Sequence, residues 1–173
     1  MAITLYDATV LGFMQTVNAM EGVMARALEH CTQAGVAAND LVEARLIADM
    51  LPFRFQILSV IQHSVGALEG AKRGEFGPPG ESPPLDYAAL QNALARASTQ
   101  LASYSPADIN ELEGRDVVLK LPSMSLPFTA ANFLLSLSVP NFHFHAATAY
   151  DILRMKGVPL GKRDYLGSLR ISR

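Results

Sequence analysis

From Thr4 to Gly35 the positions Tyr6, Val10, Phe13, Val17, Met20, Met24 and Ala27 recur at intervals of three and four, the period of a helix laid against a core. The spacing predicts one long first helix. Thr4 and Asp7 make a capping-box pair at its start, and Gly35 suits the left-handed residue just past its end. Asn39-Asp40 offers the next N-cap, and a helical pattern runs from Leu41 to about Glu69. Pro52 removes a backbone donor, so a break or kink is expected near Met50-Leu51. In the second half Arg54, Leu58, Ile61, Val65 and Leu68 form one stripe, while Asp49, Phe53, Gln56, Val60 and His63 form its neighbour.

Gly77-Pro78-Pro79-Gly80 and Pro83-Pro84 cannot propagate a helix and predict a surface loop from Gly74 to Pro84. Asp86 then caps a third helix carrying Leu90, Leu94, Ala97, Leu101 and Tyr104 on one face. Ser105 and Pro106 start a short helical turn as N-cap and first residue. Between Arg115 and Phe128 the period becomes two, with Val117, Leu119 and Leu121 and then Met124, Leu126 and Phe128 on alternate positions; a small β-hairpin over the helices is expected. Thr129 opens a fourth helix to about Lys156, interrupted by Pro140 and ended by Gly157, and a polar, basic tail wraps the outside. Four helical patterns with a hairpin between the third and fourth predict an all-α four-helix bundle in one domain over residues 1–173.

Half of the 173 residues are hydrophobic and 17% are charged, which fits a folded chain able to bury its own core without metal or disulfide. With 14 basic and 16 acidic side chains there is no excess positive charge for nucleic-acid phosphates. Cys31 is the one cysteine, so a disulfide framework and multi-Cys zinc motifs are excluded and a reducing cytoplasm is expected. The segment Met1 to Asp7 lacks the features of a signal peptide, and no apolar run approaches the roughly 18 residues that a membrane span needs.

The densest polar and aromatic cluster is Val139-Pro140-Asn141-Phe142-His143-Phe144-His145. On a helix Asn141, His145, Thr148 and Ile152 share a face, and His143 points away from it. Two histidines two apart cannot chelate one ion on a regular helix. Set against the Asp49, Gln56 and His63 stripe, the face predicts a polar pocket inside the bundle for a small molecule. The plainer reading makes His145 a core histidine satisfied by Asn141, Thr148 or a backbone carbonyl. Zinc, nickel or iron would need about three ligands, and His145, His63 and Asp49 are the set the helical faces bring together. His30 is explained by the C-terminal dipole of the first helix, which also raises the Cys31 thiol. No Gly-x-Ser-x-Gly elbow, Walker loop or Gly-x-Gly-x-x-Gly occurs.

The run Pro140-Asn141-Phe142-His143-Phe144-His145-Ala146-Ala147-Thr148-Ala149-Tyr150-Asp151-Ile152-Leu153-Arg154, followed by Gly157-Val158-Pro159-Leu160-Gly161-Lys162, resembles an uncharacterised bacterial family related to the DinB/YfiT-like helical bundles. The first helix, the Ala48-Asp49-Met50-Leu51-Pro52 break with Gln56, and Asp164-Tyr165-Leu166-Gly167 carry the resemblance over nearly the whole chain. It implies a four-helix bundle, often a homodimer, in which three histidines commonly hold a divalent metal; some members are thiol-dependent transferases. Two of those histidines typically form an H-x-x-x-H pair before Leu-Arg. Here His145 falls on the second, Asn141 stands at the first, and His63 is the counterpart implied on the second helix. The resemblance therefore implies a degenerate metal site. The readings it leaves open are a small-molecule binder, a metal-dependent transferase or hydrolase with rearranged ligands, and a dimeric scaffold without chemistry.

Overall fold

The computed structural model describes residues 2–78 and 84–171. Pro79, Gly80 and Pro83 of the expected loop lie outside the described residues. The first helical stretch is divided in two, α1 (Leu5–Ala8) and α2 (Val10–Ala34). Thr4 and Asp7 cap α1 reciprocally, the Asp7 N–H donating to Thr4 Oγ1 and the Thr4 N–H to the Asp7 carboxylate, each at 3.1 Å. Division falls at Thr9, whose hydroxyl donates to the Leu5 carbonyl at 2.6 Å while its backbone leaves the helical region at φ −121°, ψ −74°. Gly35 closes α2 at φ 68°, where a side chain would be strained.

The expected second helix starts twelve positions later than the pattern from Leu41 indicated. A single tight turn, Ala38–Leu41, is followed by irregular chain, and α3 begins at Phe53 (Phe53–Ile61), directly after Pro52. The proline holds Leu51 out of the helical region, and the chain before it folds back over the new helix end. Phe53 and Arg54 donate their backbone N–H groups to Ala44 and Val42, at 2.8 and 3.0 Å, so buried backbone satisfies the free amides of α3. Val42 and Ala44 are buried for that purpose, and Asp49 lands in an exposed turn instead of on the inner stripe. A wider π turn, Gln62–Gly66, joins α3 to α4 (Ala67–Arg73).

Beyond α4 the chain forms β1 (Glu75–Phe76), a strand that two residues are too short to announce by alternation. It pairs in parallel with β2 (Asp116–Leu121), which pairs antiparallel with β3 (Met124–Thr129), giving the order β1-β2-β3. The fold is thus mostly helical with a small three-stranded sheet. Between them lie α5 (Tyr87–Ser103), capped by Asp86 through a 2.7 Å bond from Ala89 N–H, and α6 (Pro106–Asn110), capped by Ser105. Thr129 caps α7 (Ala130–Phe133), a second π turn spans Leu134–Ser138, and α8 (Val139–Met155) follows with Pro140 in its first turn. The tail adds α9 (Lys162–Leu166), which packs on α2.

One core joins these elements. Phe13, Met20 and Met24 of α2, Leu90, Leu94 and Leu101 of α5, Phe53 and Ile57 of α3 and Phe142 of α8 are all fully buried. Each large side chain so removed from water contributes roughly 1.5–3 kcal/mol before entropy is counted. Helix α3 lies along α8 and α2 along α5. Among the described residues no helix is long and apolar enough to cross a membrane.

Candidate functional site

Packing α3 against α8 brings three of the expected polar residues together. Gln56, 2% exposed, comes from the first turn of α3, and its Oε1 lies 2.7 Å from His145 Nδ1 on α8. The Gln56 Nε2 donates to the Leu51 carbonyl at 2.7 Å, which leaves the amide oxygen facing the imidazole. An oxygen can only accept. His145 Nδ1 therefore carries the ring proton, and Nε2 presents a lone pair.

His63 stands in the π turn between α3 and α4, its ring stacked on that of His145 at 5.9 Å between centroids and 15° between planes. Its Nδ1 is buried with no hydrogen-bond partner among the described residues. Burial, reinforced by the neighbouring His145, lowers the His63 pKa to about 4. Burial also lowers that of His145. Both rings are neutral at pH 7, because either charge would be placed in a poorly solvated setting beside the other. Aromatic side chains wall the pair: Phe55 and Phe144 meet His145 edge-on at 5.8 and 5.3 Å, and Phe76 meets His63 at 5.6 Å.

Both helical runs that supply these rings contain a π turn, a distortion that inserts a residue and frequently accompanies a functional site. Gly66 leaves room for the Gln62 side chain in the first of them, since a Cβ there would come within 2.8 Å of Gln62 Oε1. The Gln62 side chain uses that space to donate to the Gly77 carbonyl at 3.0 Å, tying the turn to the end of β1. Ser138, fully buried at the end of the second π turn, has a hydroxyl with no partner among the described residues.

The other expected members behave differently. Asn141 donates to Leu137 O at 2.7 Å and Thr148 to Phe144 O at 2.8 Å, so both satisfy themselves on their own helix. Asp49 stays in its exposed turn, which removes the one carboxylate from the expected ligand set. Among the described residues no group of three or more His, Cys, Asp or Glu is arranged to hold a metal. Two imidazoles and a neutral amide, with the carboxylate absent, do not fit a catalytic centre built on three imidazole or carboxylate ligands. His143 lies on the outside of α8, with its Nδ1 3.5 Å from the Tyr165 hydroxyl of α9. Phe55, Phe76, Phe144 and Ser138 were missed by sequence reasoning. Phe144, beside His145 in the densest cluster, was the one with a visible signal.

The mostly helical fold with its small three-stranded sheet is DinB-like. A crystal structure of a DinB family member protein from Shewanella denitrificans superposes with a TM-score of 0.82 at 26% identity, over 98% of this chain and 95% of that one. The chain belongs to the family described as domain of unknown function DUF1993, whose model matches residues 5–166. No curated protein matches the chain.

Proposed function

We propose that the protein binds a small molecule that donates a hydrogen bond to the His145–His63 pair and rests its apolar body on Phe55, Phe76 and Phe144. The carrying observation is the Gln56 bond, which fixes the His145 tautomer and leaves Nε2 as an acceptor. His63, neutral and with an unpartnered nitrogen, adds a second polar edge in the same walls. The site is a degenerate form of the metal centre of related bundles, with Asn141 where a ligand would stand. In this reading four helical runs form the bundle, the β2–β3 hairpin covers one end, and two copies associate as a homodimer.

Imidazole 15N spectra of the labelled full chain at pH 7 test this reading. Phenol, an apolar ring with one hydroxyl donor, should move the His145 Nε2 signal saturably, and the response should vanish in Gln56→Leu while the fold is kept. Anisole, which lacks the donor, should leave that signal in place. Stoichiometric Zn²⁺ moving both His63 and His145 signals, with phenol ineffective, would replace the binder with a metalloprotein. Sedimentation of the same sample tests the homodimer, which a monomeric mass removes.

A further inference from the structure

A concave region lies where α9 and the residues after it cross α2. The crossing is close at Gly167, whose φ is +61° and where an added Cβ would sit 2.9 Å from the Ala19 Cβ. Gln15 Nε2 pins it by donating to the Leu166 carbonyl at 2.8 Å. Beside the crossing the surface forms a half-open cavity of about 550 Å³, within the size range of roughly 300–1,000 Å³ typical of small-molecule sites. Its floor is apolar, made by Met14, Ala19 and Val23.

The polar part of the lining is rich in donors. Arg26, Arg163 and Arg170 face it against one carboxylate, Asp164. That carboxylate is fully engaged, pairing with Arg26 and accepting the Gly161 N–H at 2.7 Å at the start of α9. Arg163 and Arg170 make no ion pair among the described residues, although Arg170 adds a small attraction to Asp7, whose carboxyl is held down mainly by Thr4. Asn18 accepts from the Ser98 hydroxyl through Oδ1 at 2.7 Å, which leaves its NH₂ as the group still able to bond. Guanidinium and amide donors above an apolar floor match a group that only accepts.

Gly22 lines the same cavity in the middle of α2, and a Cβ built there meets nothing within 4 Å. Packing within the chain gives no reason for a glycine, which costs about 1 kcal/mol relative to alanine in a helix. The open space at Gly22 belongs to the cavity, so a large side chain there would occupy it.

We infer that the cavity between α2 and the Gly161–Arg170 arm binds a small organic anion, its carboxylate or phosphate head on Arg163 and Arg170 and its apolar body over Ala19, Gly22 and Val23. This site is independent of the imidazole pair. Amide shift mapping and calorimetry on the full chain, with octanoate as probe, test it. Octanoate should shift Gly22, Arg163 and Ser168 saturably, octan-1-ol should not, and Arg163→Gln should weaken binding about tenfold or more, as expected for a lost charge-assisted bond. Gly22→Phe should abolish binding at an undiminished unfolding midpoint. Octyl phosphate binding at least as tightly as octanoate would identify the head as phosphate. Equal binding of inorganic phosphate and octanoate would overturn the apolar subsite. No saturable shift with octanoate or octyl phosphate would overturn the inference, as would octanoate binding unchanged in both variants. Concentration-dependent shifts of the same residues without any probe would assign this face to a second copy of the chain instead.

Discussion

Helices α2 and α5 run without interruption for 25 and 17 residues, whereas the α3–α4 and α7–α8 runs each carry a five-residue π turn. The regular pair contributes fully buried Phe, Met and Leu side chains and no polar group to the imidazole site. Every member of that site comes from the interrupted pair or the strand beside it. The two buried side-chain atoms left without partners among the described residues, His63 Nδ1 and Ser138 Oγ, both lie in π turns. Regularity supplies the scaffold, and the polar atoms left without partners sit at the distortions.

The contrast breaks most visibly under Leu94→Ala in α5, which should lower stability by about 3 kcal/mol in urea unfolding while leaving the His145 imidazole spectrum unchanged. A changed spectrum would mean that the two pairs are not separable. Gln56→Leu should cost about 2 kcal/mol by stranding the His145 Nδ1–H, and should also shift that ring toward its other tautomer. Stability unchanged in this variant would remove the amide from the account.

The pH profile of unfolding sharpens the comparison further. The folded His63 pKa, about 4, lies below the ordinary 6.5, so the unfolded chain takes up the proton more readily. Its contribution is complete above pH 6.5 and is lost as pH falls toward 4. After allowance for its partial exposure the loss is about 2 kcal/mol, and His63→Leu should remove that part of the slope. A slope retained in full would assign the acid sensitivity to other groups. Least of all, Asp86→Ala should cost about 1 kcal/mol through the α5 cap alone, with the imidazole signals unmoved.

The element order was legible because caps and periods are local: Thr4, Asp86, Ser105 and Thr129 all cap where the pattern put them. The span from Val42 to Pro52 was not, because its apolar residues mimic a helix while its backbone serves as a distant cap for α3. That error carried Asp49 into the expected pocket. The meeting of Gln56, His63 and His145 followed from matching stripes, but the π turns leave no residue signature, so the ring stacking was invisible. Asn141 and Thr148 sit on the expected face, yet periodicity cannot say whether a short polar side chain bonds across helices or back to its own carbonyls.

The Leu51 carbonyl belongs to an exposed residue just ahead of α3, yet it dictates which way the Gln56 amide faces and hence where His145 keeps its proton. Withdrawing that one oxygen would free the amide to rotate, and the imidazole would then trade donor for acceptor at its open edge. Polarity at the imidazole pair is in this sense written by main chain outside the helices that carry it.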